Sequence, residues 1–334
     1  MSRLLAPLVP LYAAAVGAKN AAYARGWARP KRLGWPVISI GNLSVGGSGK
    51  TPLTIRLAAL LRERGLAVDV LSRGYGRRSK AVVRVDPNGS AEEFGDEPLL
   101  IAREAGVPVF VGGNRHAAGL LAEARSAVPG VHLLDDGFQH RQLARNADIV
   151  VLHRTDFEER LLPAGRLRER LDALVRAHVL VLREEDRGLE GMLRRRGLQQ
   201  PIWWMERRLE IPQVRRAVAF CAIARQEEFF SGLKEQGVAV AGTRSWRDHH
   251  EFTRADVFEL TELQRQQEAD AFLTTAKDLV RLSADQRCEL EKAAPIHAVQ
   301  LRVRLSDEAA AIDELLSLLP GPWRAGGARL SQTP

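Results

Sequence analysis

The chain has 334 residues, of which 45% are hydrophobic and 27% are charged. This balance is typical of a folded globular protein and excludes a disordered, collagen-like or polytopic membrane chain. The net charge of +8 arises in the first 62 residues, which carry nine basic side chains and no acidic one. The excess of basic over acidic groups is therefore confined to the N-terminus, which argues against a nucleic-acid-binding protein. Cys221 and Cys288 have no metal-ligand or redox spacing, so a secreted disulfide framework is also excluded.

Residues 1–32 are predicted to form a helical segment that associates with a membrane surface. Their uncharged stretch, residues 4–18, is 15 residues long and contains two prolines, whereas a spanning helix needs about 20 apolar residues. Apolar side chains recur at helical spacing at Leu4, Leu8, Leu11, Tyr12 and Ala15. Aromatic and basic residues follow, as in helices that lie in the headgroup layer of an anionic membrane. The alternatives are a signal peptide and an N-terminal helix packed on the rest of the protein.

From Trp35 onward, short apolar runs alternate with amphipathic segments, a pattern that predicts parallel strands connected by helices. The predicted strands of the first series are 37–40, 67–71, 107–111, 131–134, 149–152, 179–182 and 202–208. Helical character lies between them, for example at 53–64 and 116–127. The expected fold class is therefore α/β, with a doubly wound, mostly parallel sheet.

A second series of alternating segments follows residue 212, where Ile211, Pro212 and Gln213 interrupt the pattern. Its predicted strands are 217–223, 238–241, 271–274 and 298–303, and its predicted helices are 226–236, 255–267 and 308–319. We expect a core domain at 33–212, a smaller C-terminal α/β domain at 213–320 and a flexible tail at 321–334.

A glycine-rich motif follows the first predicted strand and precedes the first predicted helix. It ends in Gly-Lys-Thr, as in a P-loop, whose backbone N–H groups and following helix N-terminus bind phosphates. Lys50 is expected to reach the β- and γ-phosphates, and the Thr51 hydroxyl to ligate Mg²⁺. The strict pattern has glycine where this chain has Ser44, and the alternative is an ordinary glycine-rich loop. The predicted nucleotide-binding residues of the loop are Ser44, Val45, Gly46, Gly47, Ser48, Gly49, Lys50 and Thr51.

An acidic pair, Asp135 and Asp136, ends a neighbouring predicted strand. A carboxylate at this place holds Mg²⁺ directly or through water in P-loop proteins, although Asp also caps helices and turns. Together with Lys50 and Thr51, the pair predicts an enzyme that binds Mg-ATP and either transfers a phosphoryl group or hydrolyses ATP. The sequence leaves open which of the two aspartates contacts the metal.

Several ordered motifs resemble those of the tetraacyldisaccharide 4′-kinases, enzymes of lipid A biosynthesis in Gram-negative bacteria. The matching segments are 41–52, 73–76, 95–98, 135–140, 162–169, 248–250 and 274–278, which include Gly95-Asp96-Glu97-Pro98 and Asp135-Asp136-Gly137-Phe138-Gln139-His140. The resemblance extends over residues 1–320. It implies a membrane-associated P-loop kinase with two α/β lobes, which uses Mg-ATP to phosphorylate the 4′-hydroxyl of a tetraacylated glucosamine disaccharide 1-phosphate.

The resemblance also implies roles for residues outside the phosphate loop. Asp96 would act as the base for the sugar hydroxyl, together with His249, and His250 is the alternative partner. Arg168 would offset charge on the transferred group, and Glu169 would join the Mg²⁺ shell.

Four further residues are implied to contact ligands. Gln139 is expected to contact the metal or the nucleotide, and Tyr75 the substrate or the nucleotide. Arg73 and Arg115 are candidates for the acidic 1-phosphate, and the alternative for each is an ordinary surface arginine. The roles of Lys277 and Asp278 stay open, although a helix N-terminus capped by Thr275 is the favoured explanation.

Two functions from different classes compete: the lipid kinase, and a membrane-associated P-loop ATPase switch that makes no phosphorylated lipid. A P-loop kinase for a soluble metabolite is weaker, because it leaves residues 1–30 without a role. We expect a peripheral protein at the cytoplasmic face of the inner membrane, with ATP and Mg²⁺ as cofactors. Its expected partners are the lipid substrate and the anionic membrane surface, without nucleic acid or an obligate protein partner.

Overall fold

The computed structural model describes residues 3–324, in which twelve strands form one sheet. The strands are β1 (Val37–Asn42), β2 (Ala67–Ser72), β3 (Val83–Arg84), β4 (Val109–Val111), β5 (Gly130–Asp135), β6 (Ala147–Val151), β7 (Val179–Arg183), β8 (Ile202–Glu210), β9 (Ala217–Cys221), β10 (Val240–Ser245), β11 (Ala271–Thr275) and β12 (Ile296–Leu305). Their order across the sheet is β10-β9-β11-β12-β8-β7-β6-β1-β5-β2-β4-β3.

Helices connect most of these strands. They are α1 (Val9–Ala24), α2 (Lys50–Glu63), α3 (Ala91–Phe94), α4 (Asp96–Glu104), α5 (Arg115–Arg125), α6 (Glu190–Arg195), α7 (Gln226–Glu235), α8 (Arg254–Gln266), α9 (Ala276–Arg281), α10 (Ala284–Ala293), α11 (Glu308–Ser317) and α12 (Gly321–Arg324). Short 3₁₀ segments lie at Arg3–Leu8, Arg154–Phe157, Leu171–Arg176 and Glu184–Leu189.

The strands around β1 are buried along their whole length because hydrophobic cores cover both faces of the sheet there. Ile38 and Ile40 of β1 pack in one core, and Val37 packs in another. β1 pairs in parallel with β5 on one side and with β6 on the other. The strand order therefore reverses direction at β1, which is where open α/β sheets bind ligands. The predicted doubly wound, mostly parallel fold is confirmed.

A few boundaries differ from the prediction. The strand predicted at 107–111 begins at Val109, after Pro108, which has no N–H to donate to the ladder. The edge strand β3, which the sequence pattern did not indicate, pairs antiparallel with β4. Residues 325–334 of the predicted tail lie outside the described residues, and its first four residues form α12.

Antiparallel pairing between β8 and β12 joins the N-terminal half-sheet, β1–β8, to the C-terminal half-sheet, β9–β12. After β12 the chain returns to the N-terminal half-sheet, where Ile312 of α11 lies in the same core as Leu57 of α2. Arg56 of α2 also donates two hydrogen bonds, of 2.8 and 2.5 Å, to the Glu308 carboxylate. The last helix of the predicted second domain thus packs on the first, and the division near residue 212 stays a prediction.

Helix α1 lies on the surface, and none of its residues is buried. Leu8, Leu11 and Trp27 are 49%, 70% and 75% exposed. An apolar surface of this kind is unusual unless something covers it. Among residues 3–324, no helix combines the length and the apolar character that crossing a bilayer requires.

Candidate active site

The phosphate loop lies between the carboxyl end of β1 and the N-terminus of α2. Gly46 and Gly49 have φ values of 104° and 91°, in the left-handed region that side chains rarely adopt. A Cβ at position 46 would also collide with the Arg166 guanidinium. Gly49 is the N-cap of α2, so the first N–H groups of that helix, including those of Lys50 and Thr51, have no partner within it. The end of the predicted nucleotide-binding loop therefore presents the first N–H groups of α2, as phosphate binding requires, whereas the N–H of Val45 donates to Arg166 O at 2.8 Å.

Lys50 reaches back from the first turn of α2 to the end of β1. Its Nζ donates to Asn42 Oδ1 at 3.0 Å and lies 3.5 Å from Asp136 Oδ1. Asn42 is fully buried, and the same Oδ1 accepts a hydrogen bond from Arg168 Nη2. Asn42 therefore holds Lys50 and Arg168 at the phosphate loop. The sequence did not predict this role. The available signal was a polar amide, which is rare in strands, at the end of an apolar strand.

Arg168 lies beside the phosphate loop, where its predicted role requires it. Its backbone N–H donates to Leu43 O at 2.7 Å, which ties its segment to the start of the loop. Its guanidinium binds the two carboxylate oxygens of Asp136 at 2.7 and 2.8 Å. Burial alone would raise the pKa of Asp136, but the charges of Lys50 and Arg168 outweigh it and hold that pKa well below its usual range. Asp136 is therefore already paired with two cations.

Asp135 has different surroundings, although it is the next residue. Its Oδ2 accepts a hydrogen bond from Ser72 Oγ at 3.1 Å, whereas its buried Oδ1 has no partner among the described residues. Burial, together with the charges of Glu97 and Asp136, raises the pKa of Asp135 to about 7. A divalent cation would satisfy this oxygen and favour the ionised carboxylate, so Asp135 fits Mg²⁺ better than Asp136 does.

The remaining ligands of such a cation would not be further carboxylates grouped around Asp135 in the described part of the chain. Within residues 3–324, no group of three or more His, Cys, Asp or Glu side chains is arranged to hold a metal ion. The Thr51 hydroxyl, phosphate oxygens and water are the other oxygen donors that a P-loop site supplies.

Buried polar atoms without partners gather around the phosphate loop. Gln139 Nε2 donates to Asn42 O at 2.9 Å, and this leaves Gln139 Oε1 unpaired. Asn42 Nδ2 and Ser48 Oγ also lack partners among the described residues. Since buried polar groups are nearly always hydrogen-bonded, several unpaired ones at one place indicate a polar ligand. A polyphosphate, which carries many oxygen atoms, fits this site.

Asp96 begins helix α4 and faces the C-terminal half-sheet. Gly95, with φ of 90°, is the N-cap of that helix, and the Asp96 side chain is only 7% exposed. His249, in the turn after β10, places Nδ1 3.0 Å from Asp96 Oδ2. The exposed ring of Tyr75 lies 5.3 Å from the His249 ring, between centroids. The predicted base and its predicted histidine therefore meet, although 153 residues separate them in the chain.

The neighbouring His250 points elsewhere. Its Nε2 lies 2.9 Å from Asp256 Oδ2, and its ring stacks on Trp246 at a centroid distance of 5.6 Å. His249 has a positive φ of 61°, which a non-glycine residue adopts at some cost and which turns the two imidazoles apart. Of the two candidates, His249 is thus the one in contact with Asp96.

Two cations of α9 also reach Asp96, and the sequence analysis did not connect them with it. Arg281 Nε and Nη2 donate to Asp96 Oδ2 at 2.8 and 2.5 Å. Lys277 Nζ lies 3.8 Å from the same oxygen and 2.9 Å from Glu97 Oε1. Burial alone would raise the pKa of Asp96, but the hydrogen bond from His249 and the charges of Lys277 and Arg281 hold it well below its usual range.

Glu169, which was predicted to join the Mg²⁺ shell, forms an ion pair with Arg176. Both of its oxygens accept hydrogen bonds from Arg176 Nη2 at 2.9 Å, and Oε2 also accepts one from Asn20 Nδ2 at 2.7 Å. No hydrogen bond or ion pair joins it to Thr51 or Asp135 in the described part of the chain. Its place in the Mg²⁺ shell stays a prediction.

Arg115 and Arg73, the predicted ligands of the 1-phosphate, differ in exposure. Arg115 is 5% exposed, whereas Arg73 is exposed. Burial and the charge of Arg73 lower the pKa of Arg115 to about 10. Arg115 Nε has no hydrogen-bond partner among the described residues. Two like charges with an unpaired donor suit an anionic group.

Helix α1 contacts the loops that carry the site. The Tyr12 hydroxyl donates to Arg168 O at 3.0 Å, and Lys19 Nζ donates to Gln139 O at 3.0 Å. The surface helix with its exposed leucines is therefore packed next to the phosphate site.

A glycine-rich loop between a buried parallel strand and a helix, beside an acidic strand end, is the arrangement with which P-loop proteins hold nucleotide phosphates. Asp96 and His249 form a carboxylate–imidazole pair, a kind of pair that is able to accept a proton from a hydroxyl. Fold and site together define a P-loop phosphotransferase.

Comparison with known proteins identifies the family. The sequence profile of the tetraacyldisaccharide-1-P 4′-kinase family matches residues 1–320, and the chain belongs to this family. It is similar to the tetraacyldisaccharide 4′-kinase of Koribacter versatilis, at 42% identity over 325 residues that cover 94% of this chain and 98% of the relative. It is also similar to that of Aquifex aeolicus, at 36% identity over 322 residues that cover 91% of this chain and 95% of the relative.

A solved structure supports the same assignment. The crystal structure of the "apo" form of LpxK from Aquifex aeolicus in complex with ATP matches this fold with a TM-score of 0.76 and 33% identity. The match covers 95% of this chain and 98% of that one. The predicted family and fold class are confirmed.

Proposed function

We propose that this chain is a kinase that transfers the γ-phosphoryl group of ATP to the 4′-hydroxyl of a tetraacyldisaccharide 1-phosphate. The observation that carries the proposal is the contact between the buried Asp96 and the half-buried His249. Glu97, which follows Asp96, is near enough to Asp135 for its charge to raise the pKa of that aspartate. A base in this position serves an acceptor hydroxyl, whereas a loop that only binds nucleotide has no use for it.

The phosphate loop would hold ATP through its N–H groups and through Lys50. Thr51 and Asp135 would hold Mg²⁺. Asp136, Gln139 and Glu169 are the other residues predicted to contact the metal or the nucleotide. Mg²⁺ bound there neutralises charge on the β- and γ-phosphates.

The transfer needs an aligned acceptor and a group that takes its proton. The 4′-oxygen attacks the γ-phosphorus, and the bond from that phosphorus to the β–γ bridging oxygen breaks, so that ADP leaves with the electron pair. Asp96 accepts the hydroxyl proton, and His249 holds its carboxylate in place. Lys50 and Arg168 donate hydrogen bonds to oxygens on which negative charge develops.

Helix α1 is proposed to hold the protein at the cytoplasmic face of the inner membrane, the side on which ATP is available. Leu8, Leu11 and Trp27 expose an apolar surface, and the basic excess of the chain lies in the same region. Such a helix binds an anionic membrane surface through burial of its apolar side chains and through attraction between its basic groups and the anionic lipids. Since α1 also contacts the loop of Arg168, this arrangement would present the lipid headgroup to the phosphate site.

The half-sheets are proposed to act as two lobes, in line with the predicted domains at 33–212 and 213–320. His249 lies in the second of these ranges and Asp96 in the first, so closure around the substrate would complete the base. Neither nucleic acid nor an obligate protein partner is needed for this reaction.

A transfer assay tests the proposal directly. Purified protein is incubated with γ-labelled ATP, Mg²⁺ and tetraacyldisaccharide 1-phosphate in detergent, and label is expected in the lipid. A parallel reaction without lipid measures ATP hydrolysis. Hydrolysis without any labelled lipid would overturn the kinase proposal and favour the ATPase switch. In a third reaction with a soluble glucosamine sugar in place of the lipid, transfer of label to that sugar but not to the lipid would change the acceptor class.

A further inference from the structure

The Asp96 carboxylate uses most of its hydrogen-bonding capacity on protein donors. Each of the two ionised oxygens offers about two acceptor sites. Oδ2 faces Arg281 Nε at 2.8 Å, Arg281 Nη2 at 2.5 Å and His249 Nδ1 at 3.0 Å. Oδ1 accepts one hydrogen bond, from Glu97 N at 2.9 Å. Oδ2 is therefore saturated, and the one site left for a substrate hydroxyl is on Oδ1.

Arg281 is itself held rigidly in the C-terminal half-sheet. Its Nη1 donates to Asp278 Oδ1 at 2.8 Å and to Ala222 O at 2.7 Å. Asp278 is fully buried and also accepts a hydrogen bond from Ala222 N at 3.0 Å. Thr275 caps the first turn of α9, as expected, through a hydrogen bond from Asp278 N at 3.1 Å. Rotating the guanidinium away would leave a buried carboxylate without its cation, which is costly.

The planar guanidinium links two carboxylates from different half-sheets. One edge binds Asp278 and the other binds Asp96, so the position of α9 dictates the position of Asp96 Oδ2. A lysine could supply the charge at this place, but it lacks the planar fork that puts Nε and Nη2 on Asp96 Oδ2 and Nη1 on Asp278 Oδ1.

Other charged groups face Asp96 at longer range. They are Glu97 on its own helix, Lys277 on α9, and Asp248 and His249 in the turn after β10. Lys277 Nζ lies 3.8 Å from Asp96 Oδ2, and Asp248 Oδ1 lies 3.8 Å from Lys277 and 3.9 Å from Arg281. Lys277 also lowers the pKa of Asp96 from this distance, and Arg281 is the cation whose nitrogens hydrogen-bond directly to that carboxylate.

We propose that Arg281 is a positioning residue for phosphoryl transfer, which fixes the Asp96 carboxylate across the two half-sheets and directs Oδ1 toward the acceptor hydroxyl. The inference rests on the proposed function, in which Asp96 is the base. It adds to that function a residue that keeps the base ionised and oriented through α9.

Arg281→Gln tests the inference through two independent readouts. The first is the pKa of Asp96, measured by NMR on protein labelled at the aspartate carboxyl carbons, with Asp96→Asn to assign the signal. Loss of the cation should raise this pKa by about 1 to 3 pH units. The second readout is turnover, and kcat should fall about tenfold or more. The acidic limb of the pH profile of kcat should also move to higher pH, because Asp96 accepts a proton only when ionised. The KM for ATP should change little.

Two further variants keep the outcome decisive. Arg281→Lys retains the charge and the pair with Asp278. The acidic limb of its kcat–pH profile should therefore stay near that of the wild type, while kcat itself falls. In the Asp96→Asn background, Arg281→Gln should cause little additional loss of kcat, since the two residues act as a unit. Arg265→Gln, at an exposed position paired with Glu262, is the matched control and should behave as the wild type.

Each result decides between the alternatives. An unchanged Asp96 pKa in Arg281→Gln, or a loss of kcat that is additive with Asp96→Asn, would overturn the inference. If Arg281→Gln does not fold, a wild-type kcat in Arg281→Lys would overturn it. If the wild type transfers no phosphate to the lipid, the proposed function fails, whereas the NMR titration still measures whether Arg281 controls Asp96.

Discussion

The phosphate site and the base site of this enzyme are built in different ways. The phosphate site uses the ends of β1 and β5 and the start of α2, all in the N-terminal half-sheet. The base site joins Asp96 of that half-sheet to His249 and Arg281 of the other. The residues predicted to bind nucleotide thus come from one half, although Arg225 of the other half donates to Gly47 O at 2.6 Å. The proposed proton acceptor, in contrast, takes its direct side-chain partners from across the packing of the two halves. Substitutions should separate the two properties.

The largest effect is expected for Asp96→Asn, which should abolish proton acceptance and leave the phosphate site intact. Turnover should fall about 10² to 10⁴-fold, the range for loss of a general base, while ATP affinity stays close to that of the wild type. Product formation and binding of a fluorescent ATP analogue measure the two quantities. Asp172→Asn, at a side chain that is 85% exposed, is the matched control. Turnover like that of the wild type would refute Asp96 as the base.

A somewhat smaller loss of turnover is expected for Lys50→Ala, about 10² to 10³-fold, which is typical of removing one preorganised donor. In contrast to Asp96→Asn, this change should also weaken ATP binding, because Lys50 supplies positive charge to the phosphates. It also removes one of the two cations that pair with Asp136. The exposed Lys80→Ala serves as the control. Unchanged affinity for ATP would remove Lys50 from the phosphate site.

The smallest effect on turnover is expected for Leu11→Asp, which touches neither site. Leu11 is 70% exposed on α1, and burying a leucine in an apolar layer contributes about 1.5 to 3 kcal/mol. Binding to anionic vesicles should therefore fall about tenfold or more, whereas turnover on detergent-dispersed substrate should be little changed. Phe258→Asp, at a residue 66% exposed outside α1, is the matched control. Vesicle binding that survives Leu11→Asp would place the membrane contact elsewhere.

The same difference between the sites explains how far the sequence could predict them. The phosphate loop was predictable because strand, glycines, Lys50 and helix follow one another within a few residues, and its function depends on local backbone geometry. Asp135 and Asp136 were predictable as a strand end, but their unequal surroundings come from Ser72, Lys50 and Arg168 in other segments. Which aspartate has a free oxygen could not be derived from their order in the chain.

Sequence reasoning missed several contacts between distant segments. Nothing in the composition of α9 indicates that Arg281 would reach Asp96, which lies 185 residues away. Glu169 was assigned by resemblance to the metal, whereas its partners are Arg176 and Asn20, and Asn20 comes from the N-terminal helix. A pattern of hydrophobic residues predicts which face of an element is buried, but not which charged group of another element lies against it.

By itself, the sequence determined the α/β class, the place of the phosphate loop, the family and the concentration of positive charge in the first 62 residues. Each of these depends on residue types and on short spacings along the chain. Only the tertiary structure decided that His249 rather than His250 meets Asp96, and that Arg281 donates hydrogen bonds to the same carboxylate. The physical reason is that a buried ion pair depends on distances of a few ångströms between elements, which the packing of the two half-sheets alone sets.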